Sequence, residues 1–201
     1  KTAYDNKAFD QLEGQIGTLK IFLSRLATKE SFWVFSGDEV ELKITDRENP
    51  SILILASDPG TQDINSALYS AVLNRTLRLV NSKHNLPGGI IADEFPTIYI
   101  HKIDNVVATA RSNRVAVLLG LQEIPQLRQF YKKEVADTIS AIVGNILSGS
   151  ARDKNTLDWL EKLFGKIKQK SFSQSISQQG TTTSINEKMD FMIPAGKIAA
   201  L

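Results

Sequence analysis

GGIIADEFPTIYI, residues 88–100, is the stretch on which the fold turns. An apolar run climbs from Gly89 to Ala92, ends on two adjacent acids, Asp93 and Glu94, and meets Pro96 two residues later. A continuous apolar run bounded in this way is the pattern of a strand buried on both faces of a parallel sheet. In open parallel sheets, ligands bind outside the carboxyl ends of the strands. The stretch therefore predicts a strand that delivers two carboxylates to a ligand-binding edge.

The neighbouring sequence repeats the theme. SILILAS (51–57), RVAVLLGLQ (114–122) and GNILSGS (144–150) read as further strands, and helical periodicity is expected over 63–81, 102–111, 123–143 and 153–164. Strands alternating with helices predict an α/β fold, a three-layer domain with a mostly parallel sheet covered on both faces. Upstream, Phe9, Leu12, Ile16, Leu19, Leu23 and Leu26 recur at steps of three and four, so a helix with one buried stripe is expected there. Gly14 and Gly17 within it each cost about 1 kcal/mol relative to alanine, which makes this helix dependent on packing. SFWVFSGDEVELKI (31–44) then predicts a turn at 36–38 and a half-buried strand alternating Val40, Leu42 and Ile44 against Glu41 and Lys43.

Composition bounds the function loosely. The 201 residues are 42% hydrophobic and 23% charged, as in ordinary globular proteins, and the formal net charge of +2 points to no particular partner. The absence of cysteine excludes disulfides, thiolate metal sites and a thiol nucleophile. Apolar runs such as VAVLLGL fall well short of the roughly 18 residues of a membrane span, so a soluble chain is expected. A first residue of lysine rather than methionine suggests a processed or excised piece. His84 and His101 stand alone and read as surface residues, and Trp33 and Trp159 as core or interface anchors.

Asp93 and Glu94 suit one chemistry in particular. In nucleotide hydrolases of the P-loop class, an acid at the carboxyl end of a strand holds Mg²⁺, directly or through water, and a neighbouring acid polarises the attacking water. Two acids can also simply open a surface loop. The phosphate cradle G-x-x-x-x-G-K-[ST] that would complete such a site is absent, since Gly165-Lys166 and Gly196-Lys197 lack the upstream glycine and the following hydroxyl residue. Gln122 ends the next strand, where a carboxamide can contact a γ-phosphate or, alternatively, cap the following helix. Arg111, in TARSNR, precedes that strand at the opposite edge; it either reaches a neighbouring subunit's nucleotide or is merely solvated. The tail KIKQKSFSQSISQQGTTTSINEK (166–188) reads as a solvated loop or edge hairpin. In a strand, Lys166, Lys168 and Lys170 would share one face and could follow a phosphate backbone of DNA.

Taken in order, FSGDEVELKI, PSILILASDP, IIADEFPTIYI, ATARSNRVAVLLGLQEIPQLRQFY, VGNILSGS and MIPAGKIAAL resemble the type IV secretion coupling proteins of the TraG/TraD kind, more narrowly those of Bacteroides-group conjugative elements. The similarity covers nearly the whole chain. It implies a RecA-like motor ATPase that uses ATP and Mg²⁺. In that family a membrane-anchored homo-hexamer at the cytoplasmic face of the inner membrane couples single-stranded DNA with its relaxase to the secretion-channel components. Carried over by position, Asp93 and Glu94 resemble the Walker B pair, with Asp93 on the metal; Gln122 resembles the γ-phosphate sensor and Arg111 the arginine acting in trans. Residues 1–33 resemble the end of an inserted all-α domain, and 34–201 the C-terminal part of the motor domain, an incomplete P-loop NTPase fold. The missing phosphate loop keeps an alternative open, a non-catalytic docking or assembly module with a degenerate nucleotide site.

A sheet without the strand that carries the phosphate loop has an open edge, and open edges pair aberrantly. The isolated chain is therefore expected as a monomer or a non-native dimer; light scattering in solution checks this, and a stable hexamer would refute it.

Overall fold

The structure, a computed structural model, describes residues 8–58, 60–177 and 180–201. Residues 1–7 of the expected helical segment, Pro59 of PSILILASDP, and Gln178 and Gln179 of the tail lie outside the described residues. The chain forms two compact units, Lys1–Ala92 with Thr97–Leu118, and Asp93–Pro96 with Leu119–Leu201.

In the first unit, α1 (Phe9–Leu26) is followed by α2 (Lys29–Ser36), which starts where the Thr28 side chain accepts a hydrogen bond from the Ser31 N–H at 3.1 Å. Helix α3 (Gln62–Val80) precedes strand β1 (Gly88–Ala92), and α4 (Ile103–Ala110) connects β1 to its neighbour β2 (Val115–Leu119). The Gly88 N–H donates to the Arg114 carbonyl at 3.1 Å and the Phe95 N–H to the Gly120 carbonyl at 2.7 Å. Both partners advance in the same chain direction, so the pairing is parallel, and a parallel pair needs a crossover such as α4. Val80, Ala110 and Val115 are buried together, with Ile44, Ile90 and Val117 packed against them. A Cβ on Gly88 would lie 2.7 Å from Thr45 Cγ2, so only glycine lets the 45 turn approach β1 this closely. That turn is closed by a Lys43–Asp46 ion pair at 2.6 Å; the hydrogen bond between them raises the lysine pKa and lowers that of the aspartate.

In the second unit, α5 (Ile124–Ile142) is kinked at Lys132, whose φ of 61° and ψ of 160° are not helical, which fits the expectation of one or two helices over 123–143. The Phe95 ring stacks on Tyr131, with centroids 4.8 Å apart and planes at 22°. Helix α6 (Lys154–Phe164) is capped by Asp153, whose side chain accepts from the Thr156 N–H at 3.0 Å. Leu160 of α6, Ala151, and Ile198 of α7 (Ala195–Ala199) form a second core, with Trp159 against it. After Gly165 the chain enters β3 (Lys166–Ser177), paired antiparallel with β4 (Gly180–Phe191). Of the two tail readings, the hairpin is observed.

Three expected strands are not formed. Residues 39–44, 51–57 and 144–150 are extended or irregular, without ladder partners among the described residues. A strand exists only through its ladder, so apolar pattern alone does not make one. Ile52 and Ile54 are 89% and 82% exposed while Leu53 and Leu55 are half-buried, so the period of two survives without the sheet. Leu147 is 95% exposed. Nor is the expected stripe of α1 buried: Phe9, Ile16, Leu19 and Leu23 are exposed, because no neighbour among the described residues covers them. Trp33 is likewise exposed and does not anchor a core.

Tyr131→Ala removes a buried ring stacked on Phe95 and is expected to cost about 3–5 kcal/mol, whereas Asp153→Ala loses only a helix cap, about 1 kcal/mol. Urea unfolding of the two variants checks the ranking; an equal or reversed order would contradict these roles.

Candidate functional site

Asp93 and Glu94 follow directly on β1, as its apolar run foretold. Glu94 is left-handed, with φ of 50°, a conformation that costs a non-glycine residue about 1–2 kcal/mol. Its surroundings hold it. The Asp93 carboxylate accepts from the Glu94 N–H at 3.1 Å, and the next residue, Phe95, is fixed by both its backbone and its ring. Gln122, just beyond β2, donates its side-chain N–H to Glu94 Oε1 at 3.2 Å. The side chains of Asp93, Glu94 and Gln122 are all exposed to solvent. The carboxamide thus reaches the carboxylate instead of capping α5; the residue at the N-cap is Glu123.

Three of the four singled-out residues, Asp93, Glu94 and Gln122, belong to the second unit, and Arg111 to the first. Arg111 opens a single 3-10 turn, Arg111–Asn113, ahead of β2. It is exposed, and its guanidinium has no hydrogen-bond or ion-pair partner among the described residues. Its neighbours have structural partners. Asn113 donates to Asn81 Oδ1 at 2.7 Å, and the Arg114 guanidinium donates to the Asn85 carbonyl at 2.6 Å. Lys166, Lys168 and Lys170 do share one face of β3. Two of them are engaged within the hairpin, Lys166 lying 4.7 Å from the Phe191 ring centroid and Lys170 pairing with Glu187 at 3.1 Å. Both histidines are exposed, as expected.

Sequence reasoning passed over Glu123. Its Oε1 accepts from the N–H groups of Arg152 at 3.2 Å and Asp153 at 3.3 Å, and the Thr156 hydroxyl accepts from the Ile124 N–H at 3.0 Å. The Thr156 hydroxyl and these two amides hold the Glu123 carboxyl below its ordinary pKa, against burial, which pushes it up. The available signal was an acid directly before Ile124-Pro125, a helix start with proline in its first turn.

The donor set fits Mg²⁺. That ion takes one or two carboxylates and completes its shell with water and phosphate oxygens, and Asp93 with Glu94 offers two adjacent exposed carboxylates. No cluster of three or more His, Cys, Asp or Glu suited to a metal occurs among the described residues. No helix among them is long and apolar enough to cross a membrane.

Comparison with solved structures places the fold. The chain is similar to the plasmid coupling protein TrwB in complex with the ATP analogue ADPNP, at 18% identity and a TM-score of 0.64 over 82% of this chain and 38% of that one. The same protein with ADP and Mg²⁺ matches at 17% identity and a TM-score of 0.61, covering 82% and 38%. The unbound monoclinic form of TrwBdeltaN70, a bacterial conjugative coupling protein, gives 16%, 0.58, and coverage of 72% and 34%. The chain thus spans little more than a third of the length of these structures. No curated protein matches it. A family model described as the TraM recognition site of TraD and TraG matches residues 87–201, more than half of the chain. With β1, the acidic pair, Gln122 and the terminal hairpin all inside that match, the chain belongs to the TraG/TraD family of coupling proteins, as part of its C-terminal region.

Proposed function

We propose that the chain is the acidic half of the nucleotide site in a DNA-translocating motor ATPase, one that couples relaxase-bound single-stranded DNA to a type IV secretion channel. The observation that carries this reading is the hydrogen bond between Gln122 and Glu94, which joins the segments following two neighbouring parallel strands. TrwB, the fold relative, has been solved with ADPNP and with ADP and Mg²⁺. In this chain Asp93 would hold Mg²⁺, which when bound neutralises charge on the β- and γ-phosphates. Glu94 accepts a proton from, or orients, the attacking water. Gln122 presents a carboxamide donor toward the γ-phosphate position and fixes the Glu94 carboxylate until substrate arrives. Arg111, unpaired among the described residues, is suited to serve the neighbouring subunit's nucleotide in a homo-hexamer. In this reading residues 1–33 end an inserted all-α domain, the remainder belongs to a RecA-like three-layer motor, and the assembled protein sits at the cytoplasmic face of the inner membrane.

The description of the matched family favours a second role for the same region, docking of a partner protein of the TraM type. Lys168, opposite Met189 in the hairpin, is the lysine of the three that is not engaged by the Lys166–Phe191 or Lys170–Glu187 contacts, and so the one best suited to a DNA phosphate. If the region only docks, acidic-pair substitutions leave turnover intact.

In the full-length protein, Glu94→Gln is expected to lower ATP turnover by about a hundredfold or more while nucleotide binding persists, because it removes the base and keeps the shape. Steady-state hydrolysis and fluorescent-nucleotide titration check this; normal turnover would sink the reading. Chelating Mg²⁺ is expected to abolish hydrolysis in the unmodified protein, and activity persisting in excess chelator would count against Asp93 as a metal ligand.

A further inference from the structure

Gln122 is held from both sides by groups that the proposed chemistry does not use. Two residues before it, the Gly120 carbonyl accepts the Phe95 N–H at 2.7 Å. Directly after it, the Glu123 carboxylate accepts the N–H groups of Arg152 and Asp153 at 3.2 and 3.3 Å, and the Ile124 N–H donates to Thr156 Oγ1 at 3.0 Å. Thr156 is buried at 6% exposure, and Asp153 in turn accepts its N–H at 3.0 Å. These bonds tie residues 123 and 124 to the start of α6, which is itself locked by Leu160, 1% exposed, in the second core. A carboxylate accepting two amides is a stronger tether than neutral bonds of the same length. Sites whose reacting groups are placed by a packed supporting shell lose rate when that shell loosens, even where the loosened group never meets substrate.

We propose that Glu123 and Thr156 are positioning residues for the Gln122 carboxamide, fixing where it stands relative to Glu94 without touching nucleotide. The inference rests on the reading of Glu94 and Gln122 as the nucleotide edge. It adds that the start of α6 belongs to the working site, so that a displacement of α6 moves the sensor and a displacement of the sensor is felt at α6.

The test is ATP hydrolysis by the full-length protein, read as kcat and KM separately. Glu123→Ala is expected to lower kcat about tenfold with KM changed less than about twofold. Glu123→Gln keeps an oxygen acceptor for both amides and is expected to recover kcat to within about threefold of the unmodified protein. Added to Gln122→Ala, Glu123→Ala is expected to lower kcat by less than about twofold further, because the group it positions is already gone. Full multiplication of the two losses would overturn the proposal, as would an unchanged kcat in Glu123→Ala or failure of Glu123→Gln to recover it. Should Glu123→Ala not fold, Thr156→Val against Thr156→Ser makes the same comparison, and equal kcat in the two overturns it. Normal turnover in Gln122→Ala alone overturns the nucleotide-edge reading itself, and the positioning role with it; normal turnover confined to Glu123→Ala removes only the latter.

Discussion

The acidic edge depends on the bond from the Phe95 N–H to the Gly120 carbonyl. It lies past the last assigned residue of each strand, where a parallel pair would ordinarily fray, and it keeps the two exits side by side. Stacking of the Phe95 ring on Tyr131 secures the same residue from its other end. With Phe95 bonded at its backbone and stacked at its ring, the residue before it is constrained on its C-terminal side. The left-handed backbone of Glu94 is thus the conformation imposed by an anchored successor and an Asp93 carboxylate that binds its N–H. A loop of two acids without that anchor would have no defined direction.

Strand β2 separates two uses of one motif-like segment, TARSNRVAVLLGLQ. Ahead of the strand, Asn113 and Arg114 are committed to Asn81 and Asn85 near the end of α3, so their polar groups serve the fold. After it, Gln122 is aimed at Glu94. Arg111 has the sequence neighbourhood of the first group, and its carbonyl accepts the Arg114 N–H, but its guanidinium makes none of that group's side-chain bonds among the described residues. A single stretch of sequence therefore mixes residues whose replacement disturbs packing with residues whose replacement leaves packing alone.

Local patterns carried the helices well: α3, α4 and α6 lie within a residue or two of the expected spans, because periodicity and capping are written in adjacent residues. The strand carrying the acidic pair and the strand before Gln122 were equally legible, each an apolar run ending at a polar residue. SILILAS shows the limit. Its apolarity describes what the segment would bury, and burial needs a partner that composition cannot supply. The Glu123 tether was illegible for a related reason: its acceptors and donors are about 30 residues apart, at 123 and 152–156, and nothing local announces the meeting.

The terminal hairpin raises a question of address. β3 and β4 pair over their whole length, from Lys166 opposite Phe191 to Ser177 opposite Gly180, and much of that length is a repetition of serine, threonine and glutamine. Repetitive polar strands specify their alignment weakly, since a slip by an even number of residues keeps every side chain on its own face. Among the described side chains, the observed alignment is marked by a short stretch of unlike pairs at the base: Lys166 with Phe191, Lys170 with Glu187, and Phe172 with Ile185. Two of the lysines read from sequence as a track for phosphates, Lys166 and Lys170, thus have a second occupation. They act as a zipper stop, and a partner that drew Lys170 away from Glu187 would loosen the base of the ribbon, where unlike pairs mark its alignment.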